Sequence, residues 1–139
     1  MEKSAGLIIL YNKKMLLVHP TGSSWKNSYS IPKGKIEKGE TNIDAAIRET
    51  FEETGVIVRK DQILCEGPTV NYNKSGGKTY KRLFSFVVNI SDLSEIGLKS
   101  EVIDKVVLPP REVDWAGFIG MEDLDEKIFW RFGEFIKLI

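Results

Sequence analysis

The chain has little cysteine and no excess of either charge, and both absences restrict what it can be. Cys65 is the one cysteine among 139 residues, so no internal disulfide can form. Lysine and arginine together number 20, as do aspartate and glutamate, so no overall field draws the protein to nucleic acid or to an anionic membrane. We therefore expect neither as a partner, and any polyanion must be recognised locally.

Long hydrophobic runs are also missing. The apolar run Leu7 to Leu10 is too short for a signal peptide or a membrane span, so a cytoplasmic protein is expected. Hydrophobic residues make up 42% and charged residues 29%, which is typical of a globular protein, and the length predicts one domain over residues 1–139. Cys65 lies in the strand-like run QILCEG and is expected to be a small buried side chain.

Hydrophobic periodicity predicts strands on both sides of a helix. Ser4 to Tyr11 and Met15 to His19 have the composition of two hairpin strands, and the polar stretch Pro20 to Asn27 predicts a loop. Further strands are predicted at Val56 to Val58, Ile63 to Val70, Leu83 to Ile90 and Val113 to Ile119, with a second turn at Asn73 to Gly77 and a partly irregular connection from Ser91 to Pro110. A helical stripe near the end comprises Leu124, Ile128, Phe129, Phe132, Phe135 and Ile136. This order predicts an α/β (α+β) fold with a mixed sheet between helices.

A helix is predicted from Thr41 to Thr54. Thr41 is a suitable N-cap, and Gly55 suits the left-handed residue that often follows a helix. The apolar period places five side chains on one face, which we expect to be the buried one: Ile43, Ala46, Ile47, Thr50 and Phe51.

Three glutamates of this helix, Glu49, Glu52 and Glu53, follow the spacing i, i+3 and i+4 and project from one face. That face is expected to lie roughly opposite the apolar one. Like charges at this spacing cost a few tenths of a kcal/mol per pair, and a divalent cation relieves the repulsion. Carboxylate oxygens favour magnesium over zinc. Solvated surface glutamates are the alternative interpretation, and for an arbitrary pair of glutamates they are the more usual one.

The surrounding segment decides between these interpretations. From Gly34 to Val56 the sequence reads GKIEKGETNIDAAIRETFEETGV, which resembles the Nudix box at every charged and glycine position. The one departure is Thr50, where the family usually has Leu, Ile or Val. The resemblance implies an α/β/α sandwich with a mixed, curved sheet, and a hydrolase that cleaves diphosphate linkages.

The resemblance also implies roles for individual residues. Glu49, Glu52 and Glu53 would hold Mg²⁺, or Mn²⁺ as the alternative ion, joined by the backbone carbonyl of Lys33. Arg48 would orient a carboxylate, since it precedes Glu52 by four residues and a guanidinium can donate two hydrogen bonds to it. Glu40 would be a further partner around the site, although an acid near a helix N-terminus is favoured in any case.

A more distant glutamate often completes the family's site, as a metal ligand or a general base. Glu112 fits the usual position, six residues before the aromatic Phe118 in REVDWAGF, beside a well-defined strand. Glu101 and Glu95 are the alternatives. We therefore include Glu112 among the expected catalytic residues and metal ligands.

Candidate substrate contacts lie outside the box. Lys33 and Lys35 flank Gly34, and Lys78, with Lys81 and Arg82 nearby, is a candidate second phosphate contact. The phrase SIPKG resembles a bacterial Nudix subgroup of predicted nucleoside triphosphate pyrophosphohydrolases, and PKG recurs in hydrolases of diadenosine polyphosphates. Four aromatic residues are candidates for stacking on a base, with Trp25 and Tyr80 preferred: Trp25, Tyr29, Tyr72 and Tyr80. His19 is expected to have a structural role.

These observations predict an Mg²⁺-dependent hydrolase of a nucleoside diphosphate linked to another moiety. A dinucleoside polyphosphate is the preferred substrate, and a nucleoside triphosphate, modified or not, is the second. A nucleotide-binding sensor without activity and a hydrolase of a non-nucleotide diphosphate remain as alternatives. The sequence leaves open the base, the phosphorus attacked, the number of metal ions, and whether the protein is a monomer or a homodimer.

Overall fold

The computed structural model describes residues 1–128 together with Phe135 and Lys137. Strands β1 (Glu2–Tyr11), β2 (Lys14–Pro20) and β3 (Lys33–Lys35) precede helix α1 (Asn42–Thr54). Four strands and a second helix follow in order: β4 (Ile63–Glu66), β5 (Val70–Asn73), β6 (Thr79–Ile90), β7 (Val113–Gly120) and α2 (Met121–Lys127). Short 3₁₀ turns occur at Lys60–Gln62, Leu93–Ile96 and Lys105–Val107.

The strands form one mixed sheet in the order β4-β6-β1-β2-β7, with β3 paired to β1 and β5 paired to β6. The long β1–β6 ladder is parallel, and the other pairings are antiparallel. The hairpin that joins β1 and β2 turns at Asn12 and Lys13, both at positive φ. The predicted mixed sheet, both hairpin turns and the irregular connection before β7 are confirmed.

Both faces of the sheet are covered, and this explains why β1 is buried along most of its length. Leu7 and Ile9 belong to the cluster that contains Ala46 of α1. Ile8 points the other way, into the cluster that contains Leu124 of α2. Because successive side chains of a strand alternate between faces, one apolar run supplies both cores. The predicted arrangement of helices on either side of the sheet is confirmed.

Helix α1 begins and ends as its capping residues predict. The Thr41 hydroxyl accepts a hydrogen bond from the backbone N–H of Asp44, and Gly55 adopts φ 79°. The expected buried face is shifted, however. Phe51 is 53% exposed, whereas Ala45, Ala46, Thr50 and Thr54 are buried. The helix therefore rests on its small residues, because these allow it to approach the sheet closely.

Two other local predictions are wrong, and a third is right only in part. Val56 to Val58 follow α1 directly but form no strand, because no strand in the described part of the chain pairs with them. The two valines instead pack into the core. Cys65 is exposed, because β4 is a short strand at the edge of the sheet. The single strand predicted from Ile63 to Val70 is divided between β4 and β5.

The C-terminal prediction is only partly within the described residues. Leu124, Ile128 and Phe135 are buried, and α2 ends at Lys127. The other predicted positions of the stripe, Phe129, Phe132 and Ile136, lie outside the described residues. Among the helices in the described part of the chain, none has the length and apolar character needed to cross a membrane.

The hairpin turn at Lys13 generates a stability prediction. Lys13 has φ 60°, and a left-handed conformation costs a residue with a Cβ about 1–2 kcal/mol. Lys13→Gly is therefore expected to stabilise the fold by about 0.5–1 kcal/mol after the entropy cost of glycine. Urea unfolding checks this, with Ser75→Gly as the control in the other hairpin turn, where φ is not positive. A loss of stability in Lys13→Gly equal to that of the control would contradict the prediction.

Candidate active site

The site is built on a close contact between α1 and β3. A Cβ placed on Gly34 would overlap the carboxylate of Glu49. The glycine is therefore required here for space and not for its backbone conformation, which is not left-handed. Because Gly34 has no side chain, the carboxylate of Glu49 lies directly against the β3 backbone, with 17% of its side chain exposed.

Glu53 reaches the same strand one turn further along α1. Its Oε1 accepts a hydrogen bond from the backbone N–H of Lys33 at 2.7 Å. Burial raises the pKa of Glu53 to about 7, and the charges of Glu49 and Glu112 act in the same direction. Burial also raises the pKa of Glu49. Burial therefore disfavours the charged form of both carboxylates, although Arg48 partly offsets this at Glu49.

Arg48 connects the acidic residues around this contact. Its guanidinium donates to both carboxylate oxygens of Glu40, at 2.7 and 3.0 Å. It also donates to Glu49 at 2.9 Å, to Glu52 at 3.1 Å and to the carbonyl of Lys35 at 3.0 Å. All five N–H groups of the guanidinium are therefore used. Hydrogen bonds from Arg48 lower the pKa of Glu40. The contact expected between Arg48 and Glu52 exists, with Glu40 as the two-pronged partner.

The three box glutamates do not point to one place. Glu52 is 53% exposed and lies on the Arg48 side. Glu49 and Glu53 face β3, next to the buried Thr50 and not opposite the apolar face as predicted, because the helix rests on a different stripe. In residues 1–128, no three acidic, histidine or cysteine side chains converge on a point that would hold an ion. Mg²⁺, which commonly takes one or two carboxylates and completes its shell with water and phosphate, fits this donor set.

Of the three distant glutamates, Glu112 is the one beside this site. It lies directly before β7, and its charge raises the pKa of both Glu49 and Glu53. Glu101 instead forms an ion pair with Lys14 at 2.6 Å. Glu95 accepts hydrogen bonds from the backbone of Ser91 and Asp92. Both alternatives are therefore engaged elsewhere.

Lys33 and Lys81 lie near each other beside the site. Burial lowers the pKa of Lys33, and the charge of Lys81 lowers it further. Lys81 lies opposite Glu2 across the parallel ladder, whereas Lys78 lies exposed in the β5–β6 hairpin turn. The exposed Lys35 contributes its carbonyl to Arg48. Lys81 was only a neighbour of the predicted contact, and the register of β6 could not be read from spacing.

Aromatic side chains lie in two groups. Tyr80 is 43% exposed and meets Tyr72 edge-on, with ring centroids 6.5 Å apart, and the ammonium of Lys81 lies 5.1 Å from the centre of the Tyr72 ring. Trp25 is 55% exposed and stacks on the buried ring of His19, with centroids 3.7 Å apart. One group therefore lies on the β5–β6 hairpin and the other on the loop after β2.

Comparison with known proteins identifies a matching family and fold. The family model described as the NUDIX domain matches residues 1–134. The crystal structure of a Caenorhabditis elegans Ap4A hydrolase binary complex superposes with a TM-score of 0.68 at 22% identity, covering 99% of this chain and 93% of that one. At this identity the superposition establishes the fold alone.

Two curated relatives share shorter segments. An RNA pyrophosphohydrolase of Dinoroseobacter shibae is 49% identical over 41 residues, which is 30% of this chain and 26% of the relative. An ADP-ribose pyrophosphatase of Methanocaldococcus jannaschii is 37% identical over 57 residues, which is 41% of this chain and 34% of the relative. The chain thus matches only about a third of these relatives' own length, or less.

The Gly34 contact generates a binding prediction. Gly34→Ala is expected to displace the Glu49 carboxylate and so weaken Mn²⁺ binding by about 10-fold or more, as loss of support around metal ligands commonly does. Titration followed by the paramagnetic resonance of free Mn²⁺ measures this without any turnover. Gly76→Ala is the matched control, since a Cβ there meets nothing within 4 Å. Equal affinities for the two variants would show that the close contact is unimportant for metal binding.

The raised pKa of Glu53 generates a stability prediction for the metal-free protein. The folded state favours the protonated carboxyl, so this stabilisation is complete below an ordinary pKa of 4.5 and is lost as pH rises through about 7. Glu53→Gln, which stays neutral, should match the parent near pH 4.5 and melt higher by on the order of a few degrees at pH 8.

Thermal melting with a chelator present checks this prediction, with the more exposed Glu52→Gln as the control. A Glu53→Gln variant that is no more stable than the parent at pH 8 would contradict the burial of the Glu53 charge.

Proposed function

The chain belongs to the NUDIX domain family, and from this premise we propose that residues 1–139 form one catalytic domain that hydrolyses a diphosphate linkage in a nucleotide. The observation that carries the proposal is the pair of half-buried carboxylates, Glu49 and Glu53, packed against β3 with Glu112 beside them. Three acids around one strand end repel one another until a cation binds. Without a cation to bind, this repulsion would only destabilise the fold.

The proposed ion is Mg²⁺, with Mn²⁺ as a substitute. Its protein ligands would come from Glu49, Glu52, Glu53, Glu112 and the backbone carbonyl of Lys33. When bound, a divalent ion polarises a phosphoryl oxygen and acidifies a bound water. Arg48 orients Glu49 and Glu52 through its hydrogen bonds. All the proposed groups come from one chain, so the proposal holds for a monomer and for a homodimer.

A dinucleoside polyphosphate is the proposed substrate. Burial and the nearby charge of Lys81 both lower the pKa of Lys33, and a chain of phosphates beside the two lysines would relieve their repulsion. Lys35 supplies a further exposed charge on the same strand. The two aromatic groups, represented by Trp25 and Tyr80, would provide stacking surfaces for two bases. The C. elegans protein of the same fold is an Ap4A hydrolase by name, which agrees with this choice.

Product analysis tests the proposal. Diadenosine tetraphosphate with Mg²⁺ is expected to yield ATP and AMP, resolved by anion-exchange chromatography. Glu53→Gln is expected to lower kcat by about 10²–10⁴-fold, the usual contribution of a positioned acid or base. Glu66→Gln, on the exposed end of β4, is the control and should retain the parent rate.

The outcomes separate the candidates. Release of pyrophosphate from a nucleoside triphosphate, without turnover of diadenosine tetraphosphate, would replace the substrate assignment and keep the chemistry. Nucleotide binding without turnover of either compound would favour a sensor. Full activity of Glu53→Gln would overturn the metal assignment itself.

A further inference from the structure

His19 is fully buried at the end of β2, and both of its ring nitrogens have partners. Nε2 lies 2.9 Å from the carbonyl oxygen of Ser24, and Nδ1 contacts the carboxylate of Asp114. A carbonyl oxygen can only accept, so Nε2 donates, and the Asp114 carboxylate shares the proton on the opposite nitrogen. The ring therefore joins the loop after β2 to the start of β7.

Asp114 reaches this ring because β7 contains a bulge. The register of β2 with β7 pairs Pro20 with Val113 and His19 with Trp115, so Asp114 is the extra residue. The bulge changes which face of the sheet the β7 side chains point to. Val113 packs in the cluster beneath α1, whereas Trp115 packs against the cluster on the opposite face. A regular strand would place those two side chains on one face.

The residue two positions before the bulge is Glu112. Its backbone carbonyl accepts from the N–H of Thr21 at 3.1 Å, and the Thr21 hydroxyl donates to the carbonyl of Pro110 at 2.9 Å. Two sets of contacts therefore hold the segment around Glu112: the hydrogen bonds of Thr21 to Glu112 and Pro110, and the contact between His19 and Asp114. Both sets come from the short stretch His19 to Thr21.

The same ring also supports Trp25. The indole and imidazole planes are parallel within 1°, and the Ser24 carbonyl bonded to His19 immediately precedes Trp25. Tyr29 closes the other side, with its ring centroid 4.9 Å from that of His19. One buried ring thus sets the positions of a loop aromatic and of the bulge that carries Asp114.

We propose that His19 is a positioning residue that holds Glu112, through Asp114, and Trp25, through Ser24 and ring stacking, in a fixed relation to α1. The inference rests on the proposed function, because the roles of Glu112 and Trp25 belong to it. The connection from His19 through Asp114 to Glu112, here called the Glu112 arm, controls kcat. The connection from His19 through Ser24 and ring stacking to Trp25, here called the Trp25 arm, controls KM.

His19→Phe separates the two arms. Phenylalanine removes both hydrogen bonds, so kcat for diadenosine tetraphosphate should fall by about 10–100-fold, as for other residues that support an active site. It keeps the ring stacking beneath Trp25, so although the bond to Ser24 is lost, KM should change by less than about threefold. Trp25→Ala should show the reverse pattern. A His19→Phe variant that changes only KM would overturn the proposal.

A double-mutant cycle tests whether His19 acts through Glu112. If it does, His19→Phe combined with Glu112→Gln should lose no more kcat than Glu112→Gln alone, because the positioned group is already absent. Losses that multiply would show that His19 supports the fold generally and would overturn the proposal.

Asp114 supplies a conservative rescue. Asp114→Asn can donate its amide N–H to Nδ1 while Nε2 still donates to Ser24, so it should keep near-parental kcat. Asp114→Ala should resemble His19→Phe. Because Asp114 is 31% exposed, the alanine variant is expected to fold even if the His19 variant does not. Equal losses for Asn and Ala would overturn the positioning role.

Amide hydrogen exchange distinguishes failure of this inference from failure of the proposed function. Exchange in peptides spanning residues 109–116 should accelerate in Asp114→Ala and not in Asp114→Asn, whatever the substrate is. Absence of turnover in the parent protein would overturn the proposed function and leave this measurement valid. Unchanged exchange in Asp114→Ala would overturn the inference.

Discussion

The contact between Gly34 and Glu49 is the constraint on which the rest of the site depends. A missing side chain on β3 lets α1 approach until a carboxylate lies against the strand backbone. At that distance the next turn of the helix brings Glu53 to the N–H of Lys33. The small residues on the buried face of α1 make the same approach possible from the helix side. The close approach of α1 to β3 therefore accounts both for the packing of the helix and for the positions of Glu49 and Glu53.

The acidic side chains repel one another at these short distances, and the fold compensates some of their charges better than others. Arg48 uses all five of its donors on the outer side, where Glu40 holds it with two hydrogen bonds. Glu53 lies outside this network: it accepts a hydrogen bond from the backbone N–H of Lys33, and the Lys33 charge offsets only part of the effect of burial. The result is a fully hydrogen-bonded network around Arg48 beside the Glu53 carboxylate, and burial disfavours the negative charge of that carboxylate. Sites that bind cations commonly accept local instability of this kind in exchange for function.

The far side of the site is set by a defect in the sheet. In a regular β7 the side chain of Asp114 would point away from His19, and the bulge turns it toward His19. Because Glu112 precedes the bulge by two residues, the irregularity and the predicted distant glutamate belong to the same short segment. Hydrogen bonds from Thr21 complete its attachment. A buried histidine that seemed only structural in the sequence thus contacts both the loop and the strand next to the site.

The sequence by itself determined the features that depend on neighbours along the chain. Capping by Thr41, the end at Gly55, both hairpin turns and the spacing of the box glutamates are local patterns, and all are found in the structure. Tertiary structure decided which residues face which partner. Phe51 and Cys65 are exposed, and the register of β6 brings Lys81 near Lys33. These outcomes depend on helix rotation, on edge position and on strand register, which are set by packing between distant segments and leave no local trace in the sequence.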